Sequence, residues 1–321
     1  MVQKLSNKIE YLSTEKKFRT LSFDLEAEEF RRLFKEYQEK TAHDLIEIVS
    51  HSKNKNSRLV AVYLLGRNKS GDSAIKKTLR NLLSYEASAV KKEAIWSLAR
   101  IGDTNILTNL LSLLPRCESE VERSISVRLI GRVGDKRTIL PLLKVYVEFN
   151  ELSSMSAGLA LNEIINKIGI EPLAIELLNK DKTVRKAVIW LLSARAQFTT
   201  QGERRKIVKY LKEALISEKK PSLRLLLAYN LSQLNVPEGS KELLHLSLTN
   251  QIDKKRQQFF WNEIIRYYIY SQKQSSLELV NKLIKKINSN DFNLENSERI
   301  FHSTLKTLEK IITSFDSIFD L

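Results

Sequence analysis

Cysteine occurs once in the 321 residues, at Cys117. No internal disulfide is possible, and the expected setting is reducing and cytoplasmic. Cys117 follows Pro115-Arg116 in a turn with no histidine near in sequence, and reads as a buried or idle thiol. Glycine (9) and proline (5) are scarce, which argues against an all-β chain with its many turns and for long helices. The longest apolar runs, such as AVIWLL at Ala187–Leu192, fall far short of the roughly 20 residues that cross a bilayer. The opening MVQKLSNKIEYLSTEKKF has no apolar core, so no secretory signal and no membrane partner are expected. The four histidines, His43, His51, His245 and His302, stand at no metal-ligand spacing. GRNKSG at Gly66–Gly71 lacks the Lys-Ser/Thr that a phosphate-cradling loop places after its second glycine. No catalytic residue, metal ligand or cofactor is expected.

What is present is apolar residues and positive charge. At 42% hydrophobic the chain can bury a core. Its 53 Lys and Arg against 38 Asp and Glu leave +15, a balance that attracts acidic proteins, nucleic acid or anionic surfaces.

The chain also repeats itself. Lys91–Asp103 reads KKEAIWSLARIGD, and Arg123–Asp135 reads RSISVRLIGRVGD. Related segments start at Ser57, Val90, Glu122, Ser154 (degraded), Thr183, Ser222 and Lys255, between about 30 and 40 residues apart, the length of a helical hairpin with its turns. Within each copy Ala94, Ile95 and Leu98, or Val188, Ile189 and Leu192, share one helical face and form a core. A second amphipathic segment follows, as in Ile106, Leu110, Leu111, Leu113 and Leu114, or Ile139, Leu140, Leu142 and Leu143, or Ile207, Val208, Leu211 and Leu215. Gly102-Asp103 and Gly134-Asp135 lie between the two helices. Gly suits a left-handed C-cap and Asp the following N-cap.

The pattern V-R-x-x-A-x-x-x-L-G-R-I-G-D followed by L-x-x-L-L resembles the HEAT repeat, in the short bacterial form also found in phycobilin lyase subunits (armadillo-type α-solenoids). The resemblance implies an all-α fold, a right-handed α-α superhelix of about seven or eight hairpins with helical caps. The expected divisions are 1–56 as an N-terminal cap or diverged repeat, 57–251 as HEAT-like repeats, and 252–321 as a C-terminal diverged repeat with capping helices. At the N-terminal end Asp24–Lys40 reads as a helix with Phe30, Leu33, Phe34 and Tyr37 on one side, and Thr41–Asp44 as a capping box. Ser275–Ile287 and Glu295–Phe319 read as helices at the other end. The resemblance also implies that the basic residue opening each first helix (Arg58, Lys91, Arg123, Arg185, Arg224, Arg256) pairs with a nearby acid, for which Glu86, Glu118 and Asp181 are candidates.

Two surfaces stand out. Five positions beyond that basic residue lies a column of Tyr63, Trp96, Arg128, Trp190, Tyr229 and Trp261. Arginines four residues on give Tyr63/Arg67, Trp96/Arg100 and Arg128/Arg132, a spacing that allows cation–π stacking. The column either packs each ring on the next first helix or presents a stacking surface to a ligand or nucleic acid. The second helices line the concave side of such a solenoid. There Lys76, Lys77 and Arg80, then Arg204, Arg205, Lys209 and Lys212, then Lys282, Lys285 and Lys286 form a candidate basic stripe. The reading that follows is a non-enzymatic binding scaffold whose basic curved surface holds an acidic protein partner. The alternative is a nucleic-acid-binding protein gripping the phosphate backbone on the concave face. On fold likeness alone stand a bilin lyase or isomerase subunit and a HEAT-like DNA glycosylase. A small-molecule ligand is not expected.

Overall fold

A computed structural model describes residues 27–68, 72–85, 89–149 and 151–248. The expectations at Trp261, Lys282, Lys285, Lys286, Glu86, Arg256 and the two C-terminal helices lie outside them. The described residues form helices and turns with no strand. The helices, in order, are α1 (Ala27–Tyr37), α2 (Ala42–His51), α3 (Lys55–Leu65), α4 (Ser73–Tyr85), α5 (Ala89–Arg100), α6 (Leu107–Leu113), α7 (Glu120–Val133), α8 (Ile139–Glu148), α9 (Glu151–Ile168), α10 (Glu171–Ala174), α11 (Lys182–Phe198), α12 (Gln201–Ser217), α13 (Pro221–Gln233) and α14 (Pro237–Leu248). Short 3-10 turns extend α6, α8 and α10. This is an all-α repeat fold, and it divides into two units, 1–192 and 193–321.

In the first unit the first helix of each hairpin packs on the first helix of the next: α1 on α3, α3 on α5, α5 on α7 and α7 on α9. The second helices form the other layer, where α2 meets α4. Between the layers lies the core, including Val60, Leu65, Ile75, Leu79, Leu98, Leu110, Ile130, Leu142 and Leu143, all fully buried. The six first-helix residues named for the core, from Ala94 to Leu192, are buried too. One hairpin exposes half of such a core, and stacking the next one covers it. In the second unit α13 packs against both α12 and α14 over Ile207, Leu211, Leu227 and Leu231.

Local chemistry sets the helix ends. Thr41 Oγ1 accepts from the Asp44 N–H at 3.2 Å and Asp44 Oδ2 accepts from the Thr41 N–H at 3.0 Å, so the expected capping box is present. Asp103 and Asp135 accept from Asn105 and Arg137 N–H groups as N-caps of the second helices. Gly102 adopts φ +80°, which a side chain resists. Gly134 does not follow it. Its backbone is extended (φ −73°, ψ 160°), and glycine is required there because a Cβ would strike the Ile130 carbonyl oxygen.

The opening arginines reach carbonyls, and Arg224 also pairs with an acid as expected. Arg58 Nε donates to Val49 O (3.0 Å), Arg123 Nη2 to Cys117 O (3.2 Å), and Arg185 Nη1 to Asn179 O (2.8 Å). Arg224 Nη1 donates to Leu215 O and Glu218 O, and its Nε also reaches Glu242 (3.0 Å). Arg123 lies over the Phe149 ring at 4.0 Å instead of pairing with Glu118. The carbonyls at the end of the preceding hairpin have no intrahelical donor and sit at the negative pole of the helix. A guanidinium satisfies several of them at once, which a single carboxylate pairing would not do.

Candidate functional site

The aromatic and arginine column gathers on the first-helix layer of the first unit. Tyr63 comes from α3, Trp96 and Arg100 from α5, and Arg128 and Arg132 from α7. With Glu93, Ile125, Leu129, Leu159, Ala160 and Glu163 they line a groove of about 620 Å³. The register of the helices is set by small polar contacts. Ser97 Oγ donates to Val62 O (3.0 Å), Trp96 Nε1 to Ser126 Oγ (3.1 Å), and the Ser124 and Ser156 hydroxyls lie 2.7 Å apart. A Cβ on Gly131 would stand 2.8 Å from Ala160 Cα, so α7 and α9 approach closely there.

The column is not uniform. Trp96 is 3% exposed and bonded to the next first helix, which is the packing role for that ring. Tyr63 is half-buried, with Arg67 and Arg100 over its ring at 5.8 and 5.1 Å and the Phe30 and Phe34 rings beside it. Both i, i+4 partners expected at Tyr63 and Trp96 therefore converge on the tyrosine. Trp190 on α11 is 44% exposed. Arg128 and Arg132, one turn apart on α7, are exposed, and among the described residues no acid, carbonyl or ring engages either guanidinium. Leu159 beside them is 47% exposed.

The groove also holds acid. Glu93 is 2% exposed, with Arg100 Nη1 at 2.5 Å and Ser97 Oγ at 3.4 Å. Burial raises its carboxyl above the ordinary glutamate value, and the Arg100 charge and hydrogen bond oppose the rise. A raised carboxyl binds its proton more readily folded than unfolded. Wild type therefore loses stability as pH climbs from the unfolded glutamate value through the raised folded one. Glu93→Gln keeps an acceptor for Arg100 and removes the buried charge. It is expected to melt above wild type at neutral pH and together with it at about pH 4, where both carry a neutral side chain. Thermal scans by circular dichroism at the two pH values check this.

Glu163 and Lys167 (Nζ–Oε1 3.5 Å) were not singled out in the sequence. Aligning Gly169 with Gly134 would have placed them at the positions of Arg128 and Arg132, but the fourth copy lacks the V-R and G-D landmarks. Lys167 also donates to Gly131 O and Arg132 O at 2.8 and 2.7 Å.

The basic residues of the second helices divide between the units. On α4, Lys77 is exposed, Lys76 is half-buried, and Arg80 is held by Asp103 at 2.6 Å. On α12, Arg205 is exposed, Arg204 donates to Leu234 O (2.9 Å), Lys209 lies 3.9 Å from Glu213, and Lys212 pairs with Glu238 at 2.5 Å. Cys117 is buried, its Sγ 3.6 Å from Leu113 O, and burial raises its thiol, consistent with an idle side chain. Among the described residues no cluster of three or more His, Cys, Asp or Glu is placed to hold a metal. No helix there is long and apolar enough to cross a membrane.

Residues 42–130 match the family model for HEAT repeats. That segment is similar to HEAT repeats. No curated protein matches this chain in sequence. Among solved structures it is similar to the complex of CpcE and CpcF of phycocyanin lyase from Nostoc, with TM-score 0.33, 17% identity, and 71% of this chain and 94% of that chain covered. It is also similar to a designed armadillo repeat protein in complex with the peptide (KR)4, with TM-score 0.29, 18% identity and 59% and 97% covered. Human deoxyhypusine hydroxylase gives TM-score 0.30 and 12% identity over 73% and 99%.

Proposed function

We propose that this HEAT-repeat chain is a binding scaffold without catalytic activity, and that its first-helix groove holds an acidic segment of a protein partner. The repeats at 57–251 supply the surface, flanked by caps at 1–56 and 252–321. The observation that carries the reading is the pair of exposed guanidinia, Arg128 and Arg132, that no described residue engages, next to exposed Leu159. Most other cations named above are already engaged within the chain: Arg80, Arg100, Arg204 and Lys212 each have a carboxylate or carbonyl. An anion meeting them displaces an existing bond, whereas at Arg128 and Arg132 it meets charge that no described residue engages. Charged groups in such a place steer and select a partner of opposite sign, and arginine donates to carboxylates in bidentate geometry. The apolar wall supplies desolvated contact area, which an extended nucleic-acid backbone would not use.

The test is fluorescence anisotropy with a labelled peptide of alternating Glu and Leu, beside duplex and single-stranded DNA, at about 50 and 200 mM salt, a range over which several phosphate contacts cost orders of magnitude. The peptide is expected to bind, and Arg128→Glu with Arg132→Glu to weaken it at least tenfold while circular dichroism stays unchanged. Equal peptide affinity in the folded double variant overturns the reading. So does DNA binding tighter than peptide binding with a steep salt slope.

A further inference from the structure

We infer that the groove binds its acidic segment together with a proton on Glu93: with Glu93 neutral, Arg100 is released to the ligand, and affinity rises as pH falls. The inference rests on the scaffold reading above and adds its regulation. Glu93 and Arg100 stand seven residues apart on one face of α5, and both line the groove. The carboxylate is buried, whereas the Arg100 side chain is 21% exposed. Arg100 can therefore touch a ligand that never reaches Glu93. One atom, Nη1, carries its bonds to Glu93 Oε1 at 2.5 Å and to Ser97 Oγ at 3.2 Å. Among the described residues no oxygen accepts from its Nε or Nη2.

Ser97 suits the neutral form of Glu93. Its one hydroxyl proton goes to Val62 O at 3.0 Å, the shorter of its two contacts with acceptors. At 3.4 Å it then turns a lone pair toward Glu93, which a protonated carboxyl can use as a donor and a carboxylate cannot. The neighbouring charges supply no second counter-ion. Lys92 of α5 is taken by Glu122 of α7. From α3 and the turn after it come Tyr63 and Arg67, and from α7 come Arg128 and Arg132, which lie in the lining. On α4, Arg80 is held by Asp103, and Lys76 and Lys77 lie outside the lining; α6 carries no charged residue. From α9 comes Glu163, beside Lys167.

Charge sets the sign. A ligand that draws Arg100 away at neutral pH strands a buried carboxylate, which is costly. Burial already raises the Glu93 carboxyl, and an anion in the groove raises it further. Ligand and proton therefore favour each other's binding.

The probe is a rhodamine-labelled peptide of alternating cysteic acid and Leu, whose sulfonates stay charged throughout. It is titrated with the full chain between about pH 8 and about pH 5, above the ordinary glutamate value. Wild type is expected to gain about fivefold to tenfold in affinity toward the acid end, tenfold matching a ligand-induced rise of about one pH unit at Glu93. Glu93→Gln is expected to bind at the alkaline end as tightly as wild type at the acid end, with no slope between. Glu163→Gln is expected to keep the wild-type slope. Calorimetry in two buffers of different ionisation enthalpy should show proton uptake on binding in wild type and none in Glu93→Gln. A flat wild-type profile, a slope that survives in Glu93→Gln, or weaker binding by that folded variant overturns the inference and leaves the scaffold reading standing. If neither this peptide nor its Glu counterpart binds at any pH, both fall.

Discussion

Replacing Lys92 by methionine is expected to lower the stability of the 1–192 unit by about 3–5 kcal/mol, the usual result of removing one partner from a buried ion pair. Lys92 Nζ on α5 lies 2.5 Å from Glu122 Oε1 on α7, and the Glu122 side chain is 1% exposed. Glu122 is committed in other ways. Its Oε2 accepts from the Glu118 N–H at 3.0 Å, and its own N–H donates to Ser119 Oγ at 3.1 Å, so it also closes the start of α7. Methionine preserves the length and helix propensity of lysine, which leaves the stranded carboxylate as the main change. The double variant Lys92→Met with Glu122→Gln keeps an acceptor for Glu118 and buries no charge, and is expected to recover most of the loss. An exposed pair supplies the contrast. Lys209 and Glu213 are 3.9 Å apart and 74% and 57% exposed, and Lys209→Met is expected to cost less than about 1 kcal/mol. Urea unfolding followed by circular dichroism reads all three. A loss under about 1 kcal/mol for Lys92→Met would show that water reaches Glu122 in solution.

The fold was legible because its determinants are local and recur. The core positions follow the helical period, and Asp103, Asp135 and Thr41 sit where caps are required. The column was legible as a column, but the two fates of its rings were not. Trp96 finds Ser126 on the next helix and is buried. Trp190 occupies the same repeat position and stands 44% exposed. That difference depends on which residue the neighbouring hairpin presents, and periodicity carries no such information. The opening arginines were legible as structural residues, yet the acceptors shown for Arg58, Arg123 and Arg185 are carbonyls, and Arg224 bonds carbonyls beside Glu242. A carbonyl belongs to every residue and leaves no trace in a sequence, whereas a carboxylate does. That no described residue engages Arg128 and Arg132 became visible only when the groove acids Glu93 and Glu163 were seen beside Arg100 and Lys167.

The second large effect concerns the close approach that shapes the groove. Gly131→Val is expected to destabilise the 1–192 unit by about 2–3 kcal/mol, in the range for forcing extra atoms into a packed interface. The added Cβ would meet Ala160 Cα at 2.8 Å and Ala160 Cβ at 2.9 Å. The Glu163 carboxylate at 3.1 Å can swing aside, but the Ala160 Cα is backbone and moves only with α9. Ala160→Gly should therefore fail to rescue the variant, because it removes the Cβ contact and leaves the Cα one. Gly202 on α12 meets nothing within 4 Å, so Gly202→Ala should instead stabilise by about 0.4–1 kcal/mol through reduced freedom of the unfolded chain. The two glycines separate backbone entropy from packing within one protein. Because Gly131 lies between Arg128 and Arg132 on α7, and Ala160 follows Leu159 on α9, parting these helices also lengthens the span between the charged and apolar halves of the groove. A folded Gly131→Val protein should then lose affinity for the acidic peptide while Gly202→Ala keeps it, so that stability and recognition fail together at the first glycine and at neither through the second.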